Sequence, residues 1–174
     1  MRYFGAGVNH EDLTTYLNDH LAGSVVALEI LDDMIQGREG KPLAPFLEEL
    51  RNDIQSDQEE FKGLMKRLEM EQSTLRKAGA WMVEKLSRTK LHRTDAGEPN
   101  RALFQSLEAL ALGIAGKRLL WRTLAEVVMD SRQFDGMDFA HLEARASDQI
   151  ERVEAQRLEI GRQIFGLGRN VAAS

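Results

Sequence analysis

The sequence predicts an all-α protein, a four-helix bundle formed by one domain over residues 1–174. Three observations favour this fold class. Apolar residues recur at alternating spacings of three and four in four long segments, which is typical of helices with one buried face. No segment alternates with the period of two expected of strands. The three prolines fall where a helical pattern starts rather than inside one.

The first helix is expected over residues 11–36. Asn9 is a suitable N-cap with Asp12 three residues later, and Gly37 and Gly40 stop the pattern. Its apolar stripe consists of Leu13, Leu17, Leu21, Ser24, Leu28, Leu31 and Ile35. Ser24 therefore interrupts an apolar face with a hydroxyl group.

The second helix is expected over residues 43–70, after Pro42 and around Pro45. Its stripe consists of Phe46, Leu50, Ile54, Asp57, Phe61, Leu64 and Leu68. Asp57 is the charged residue within this stripe, and it lies near the middle of the helix.

A shorter helix over residues 73–89 is expected to link two helix pairs. At about 1.5 Å per residue it would cover roughly 25 Å, and the polar loop that follows would supply the remaining length. Two antiparallel pairs related by a pseudo-twofold need a connection that runs along the bundle. The sequence therefore predicts a helical crossover between the pairs.

The last two helices are expected over residues 99–131 and 138–166, separated by a turn at Asp135 and Gly136. The stripe of the first consists of Leu103, Leu107, Leu110, Ile114, Lys117, Trp121, Leu124 and Val128. The stripe of the second consists of Phe139, Leu142, Ala146, Gln149, Val153, Arg157, Ile160 and Ile164. Lys117 and Gln149 are thus further polar residues on core-facing positions.

Composition argues against several function classes. The net charge of −5 and the lack of a clustered basic face predict no nucleic-acid partner. The chain has no cysteine, which rules out disulfides and thiolate sites. Residues 1–9 do not look like a signal peptide and no segment is apolar enough to span a bilayer, so we expect a cytoplasmic protein without a membrane partner. No nucleotide or hydrolase motif occurs, and no cofactor is expected.

The order of apolar stripes resembles the ferritin-like superfamily, in which two antiparallel helix pairs are joined by a long crossover. Residues 16–29, YLNDHLAGSVVALE, also look like the opening helix of small uncharacterised bacterial ferritin-like proteins. The resemblance implies a site for two metal ions at mid-bundle, held by glutamates and by two Glu-x-x-His motifs.

The residues of this chain do not match that metal site. No Glu-x-x-His occurs, and Asp138-x-x-His141 lies in the first turn of its helix. The mid-bundle stripe positions instead carry a degenerate set: Ser24, Asp57, Lys117 and Gln149. Because an ammonium can replace the charge of a metal cation, we expect a buried ion pair between Asp57 and Lys117 and no metal.

Alternatives remain open at this central polar layer. The Lys117 side chain could extend to the bundle surface, and Asp57 could face solvent. His20 projects from the apolar face one turn from Ser24, and such a histidine is usually a hydrogen-bonded core residue. A mononuclear metal site formed by His20, Asp57 and Glu60 is a further alternative.

Association is predicted through the third long helix, whose opposite side is also apolar. The residues concerned are Leu112, Leu119, Leu120 and Val127. A helix that is apolar nearly all round must be covered twice, and we expect a homodimer. The expected function is that of a non-catalytic structural, stress-related or interaction module. The alternative is an enzyme or carrier that uses the polar centre of the bundle, with His20, Asp57, Glu60 and Lys117 as its candidate groups.

Overall fold

The computed structural model describes residues 9–70, 99–127 and 134–166 and shows an all-α four-helix bundle, as predicted. The helices are α1 (His10–Gln36), α2 (Ala44–Arg67), α3 (Pro99–Val127) and α4 (Phe139–Phe165). These ranges contain no strand. The expected linking helix over 73–89 and the end of the expected 99–131 helix lie outside the described residues.

Side-chain caps begin α1 and α4. The Asn9 carboxamide oxygen accepts the amide hydrogens of Glu11 at 3.1 Å and Asp12 at 3.4 Å. The Asp138 carboxylate accepts the amide hydrogen of His141 at 2.9 Å. Each cap satisfies amide groups that have no partner inside the helix. Asp138 is therefore the N-cap of α4, and His141 lies three residues later because its amide group is the one that Asp138 accepts from.

α2 is shorter at its C-terminal end than the expected 43–70. It ends at Arg67, and Glu69 adopts a left-handed backbone with φ of 55°. The Met70 amide donates to the Met65 carbonyl at 3.0 Å, and the Glu69 amide donates to the Lys66 carbonyl at 3.1 Å. This is the pattern of a Schellman motif, which stops a helix by satisfying its last carbonyl groups.

The direction of each helix follows from the two halves of the core. One half joins the start of α1 and α4 to the end of α2 and α3; among its members are Leu13, Leu17, Phe61, Leu64, Trp121, Leu124 and Leu142. The other half joins the opposite ends; among its members are Leu31, Met34, Leu47, Leu50, Leu103, Leu107 and Val153. Helices α2 and α3 therefore run parallel, and α1 and α4 run antiparallel to both. α2 ends and α3 begins at opposite ends of the bundle.

The helices are amphipathic rather than apolar throughout. α2, for example, buries Leu47, Leu50 and Ile54 and exposes Glu48 and Glu49. Within the described ranges, no helix is long and apolar enough to cross a membrane. The core-facing side of α2 is thus matched by a polar side.

Three of the four apolar residues predicted on the outer side of α3 are exposed. Leu112 is 76% exposed, and Leu119 and Val127 are also exposed. Leu120 was expected on the same outer side, but it is buried. The prediction was wrong for Leu120 because α3 packs against α1 as well as α4, so its buried arc is wider than one stripe.

Candidate functional site

A buried ion-pair layer joins α2, α3 and α4 at the middle of the bundle. The Lys117 ammonium donates to Asp57 Oδ2 and to Gln149 Oε1. Gln149 Nε2 donates to Asp57 Oδ2 at 2.9 Å. Asp57 is 4% exposed and Gln149 is fully buried. The structure thus brings together three of the predicted layer residues, and the Lys117 head group lies in this layer instead of at the surface.

Arg145 of α4 is a fourth member of the layer that the sequence did not identify. Its guanidinium is ion-paired with Asp57 Oδ1 and with Glu60 Oε2, the latter at 2.8 Å. Arg145 precedes Gln149 by four residues, so both lie on the same side of α4. This four-residue spacing could have indicated from the sequence that Arg145 belongs to the layer. Arg145 was missed because it lies beside the apolar stripe of α4 and not within it. Asp57 therefore contacts two cations.

Ser24 does not join the Asp57 layer, contrary to the prediction. Its hydroxyl donates to the Leu21 carbonyl at 2.6 Å and accepts from Gln58 Nε2 at 2.9 Å. Gln58 is buried, and its carbonyl oxygen accepts from Lys62 at 2.6 Å. Successive helix residues point about 100° apart, so Gln58 faces α1 while Asp57 faces α3 and α4. Ser24 and Gln58 form a separate polar contact between α1 and α2.

The three residues of the alternative metal site are not brought together as a metal-binding group. Glu60 points outward and binds Arg145, while Asp57 is engaged by its cations and by Gln149. In the parts of the chain that the structure describes, no three His, Cys, Asp or Glu side chains are placed to hold a metal ion.

The lysine of the layer is strongly desolvated. Burial lowers the pKa of the Lys117 ammonium, and the adjacent Asp57 carboxylate partly offsets this effect. A buried ammonium needs an opposite charge because it has lost most of its water contacts. Asp57 supplies that charge directly.

A cavity of about 250 Å³ lies between α1, α2 and α3 beside this layer. Its polar lining side chains are Asp19, His20, Ser24, Asp57, Gln58 and Lys117. The other lining residues are Gly23, Ala27, Ile54, Phe61, Gly113, Ile114, Gly116, Leu120 and Trp121. The cavity therefore has mainly apolar walls and meets the Asp57 layer on one side.

Three helical glycines leave this space open. Gly23 lies on α1, and Gly113 and Gly116 lie on α3. A Cβ atom on Gly23 or Gly113 would meet no atom within 4 Å, and one on Gly116 would lie 3.9 Å from His20 Cε1. A glycine inside a helix costs about 0.5–1 kcal/mol relative to alanine. Close packing of α1 and α3 does not require these glycines, because all three positions have room for a side chain.

His20 presents an imidazole to the same cavity. It contacts the Tyr16 ring edge-to-face with centroids 4.7 Å apart. Burial lowers the pKa of His20, with a smaller opposing effect from Asp19, and this favours the neutral imidazole. A neutral imidazole carries one hydrogen-bond donor and one acceptor. His20 can therefore offer a hydrogen bond to a molecule in the cavity.

Comparison with known proteins finds no family model, no curated protein and no solved structure that matches this chain.

Proposed function

We propose that this protein binds a small, largely apolar molecule in the cavity between α1, α2 and α3. The observation that carries the proposal is a glycine-lined space of about 250 Å³ beside a polar layer. We also propose that the bundle is ferritin-like and that its central site is degenerate, with Lys117 in the place of metal ions. This develops the carrier alternative that the sequence left open.

The size of the cavity limits the ligand. Pockets for drug-sized molecules span roughly 300–1,000 Å³. An apolar cavity of about 150 Å³ is already large enough for benzene. The present cavity lies between these values, at about 250 Å³. It suits a molecule of one ring with a short chain, or two small fused rings.

A binding role is favoured over catalysis because the charged layer is internally satisfied. Both Asp57 oxygens are engaged, one by Arg145 and the other by Lys117 and Gln149. A carboxylate held in this way is poorly placed to accept a proton from a substrate. We therefore assign the layer to stability and ligand orientation.

Toluene is a suitable first probe of the cavity. We expect increasing toluene to raise the melting temperature, since a ligand that binds only the folded state stabilises it by mass action. Gly23→Leu should remove this increase by filling the cavity, where the added Cβ has free space. Circular dichroism melts at several toluene concentrations provide the measurement.

Gly63→Leu is the matched control for this experiment. Gly63 lies on α2, is exposed and also has no atom within 4 Å of an added Cβ, but it does not line the cavity. The toluene effect should survive in this variant. An equal melting increase in the Gly23→Leu variant would contradict binding in the cavity.

We also propose that two copies associate through the outer face of α3, in keeping with an interaction role. Leu112, Leu119 and Val127 are large, exposed and on one side of that helix. Burying such a patch in a twofold interface would remove it from water. Sedimentation equilibrium should show a dimer that dissociates when Leu112→Glu and Leu119→Glu are combined, but not with Leu158→Glu on α4. A wild-type monomer would refute this proposal.

A further inference from the structure

The outer face of α3 carries a regular stripe of apolar and small residues. Leu112, Gly116, Leu119 and Thr123 follow one another at spacings of four, three and four, so these positions lie on one side of the helix. Leu112 is 76% exposed and Leu119 is 54% exposed, and Thr123 is also exposed. Alternating spacings of three and four are the pattern by which two helices pack side by side. The outer face is therefore suited to contact one further helix.

Two charged residues flank this stripe on the side towards α4. The Glu108 carboxylate is 47% exposed and accepts from Arg157 of α4 at 3.3 Å. Arg122 is exposed, and among the described residues it has no ion-pair partner. Glu108 and Arg122 are about four helical turns apart, so they lie on nearly the same side of α3. A carboxylate has several acceptor positions, so Glu108 can bind a second cation while it keeps Arg157.

The leucine pair and the charged pair share one centre along α3. The midpoint between Leu112 and Leu119 lies between residues 115 and 116, and the midpoint between Glu108 and Arg122 lies at residue 115. A twofold axis at this point, perpendicular to α3, would generate an antiparallel copy of the helix. Leu112 would then lie against Leu119 of the partner subunit. Glu108 would lie at the level of Arg122 of the partner subunit, on the same flank.

From this coincidence we infer that two copies pair through α3 in antiparallel orientation, with an ion pair between Glu108 and Arg122 of the partner subunit on each side of the twofold axis. The inference rests on the proposed dimer and adds its orientation and register. A parallel pair would place each of these charges at the level of the same charge, so neither would meet its opposite. In the antiparallel register the exposed Glu126 comes opposite Gln105, which is neutral.

Single cysteines test the orientation, because the chain has no cysteine of its own. Leu112→Cys and Leu119→Cys are prepared as separate variants. In the antiparallel pair the two copies of position 112 would be about 10 Å apart along the helices. A disulfide needs Cα atoms within about 7 Å, so under mild oxidation each variant alone should form at least about tenfold less linked dimer than the mixture. Non-reducing gel electrophoresis measures the linked fraction.

Exchanged charges test the ion pair. In a homodimer, Glu108→Lys alone or Arg122→Glu alone brings like charges together twice. A mixed dimer of the two variants restores both opposite-charge pairs. Sedimentation equilibrium at low salt should therefore show association about tenfold tighter in the equimolar mixture than in either variant alone. The lost contact with Arg157 does not account for the difference, because the Glu108→Lys chain lacks that contact alone and in the mixture.

The outcomes separate this inference from the proposed dimer. A dimer that dissociates when Leu112→Glu and Leu119→Glu are combined could still cross-link through Leu112→Cys alone as readily as in the mixture. That result would overturn the antiparallel register and leave the proposed dimer intact. Equal association of the charge variants alone and mixed would likewise overturn the ion pair. A wild-type monomer would overturn both proposals.

Discussion

Asp57→Ala is expected to lower the free energy of unfolding by about 3 to 5 kcal/mol, because it leaves buried positive charge without its partner. Lys117 would lose the carboxylate that offsets its desolvation, and Arg145 would keep the exposed Glu60 as its ion-pair partner among the described residues. Gln149, which is fully buried, would also lose the acceptor of its amide hydrogen bond. Urea unfolding followed by circular dichroism at constant pH measures the loss.

Asp53→Ala is the matched control for the charged layer. Asp53 lies one turn earlier on α2 and is ion-paired with Arg152 of α4, but both side chains are partly exposed. Exposed ion pairs contribute about 0 to 1 kcal/mol, so a small loss is expected. A loss below about 1 kcal/mol for Asp57→Ala as well would mean that the layer is not a desolvated ion pair.

Removing both charges tests the same interaction in a different way. The double variant Asp57→Leu with Lys117→Leu should be more stable than the Asp57→Leu single variant, because no unpaired lysine remains in the core. A double-mutant cycle on unfolding free energies isolates the coupling between the two residues. Additive losses would contradict a direct interaction.

Trp121→Ala is expected to lower the free energy of unfolding by about 3 to 5 kcal/mol through lost packing. Trp121 is 1% exposed and contacts Phe61 edge-to-face with ring centroids 5.6 Å apart. Its removal would also enlarge the space beside the existing cavity, which increases the cost of a large-to-small change. Urea unfolding again provides the measurement.

Leu119→Ala is a suitable comparison for Trp121→Ala. Leu119 lies on the same helix but is exposed, so its truncation should change stability by no more than about 0.5 kcal/mol in the monomer. Similar losses for the two variants would indicate that Trp121 is not a core residue. At dilutions where the proposed dimer would dissociate, the comparison is independent of self-association.

The apolar periodicity was sufficient to predict most of the fold. Stripes at spacings of three and four located all four described helices, and Asn9 was identified as the cap of α1. Because each stripe must face the core, polar residues at its midpoint had to meet other helices there. This reasoning placed Asp57, Lys117 and Gln149 at one level, as the structure does. The homodimer and the absence of a cofactor remain predictions.

The tertiary structure decided which neighbours each polar residue contacts. Periodicity gives the direction of a side chain around its own helix, but the rotation of one helix against another determines its partner. Arg145 therefore joined Asp57 from beside its stripe, while Ser24 was paired with Gln58 instead. The cavity depends on glycines of two helices that are far apart in sequence and meet only after packing. The apolar stripes were enough to predict the bundle and the Asp57–Lys117 ion pair. The candidate binding site could not be predicted from them, because it forms only where α1 approaches α3.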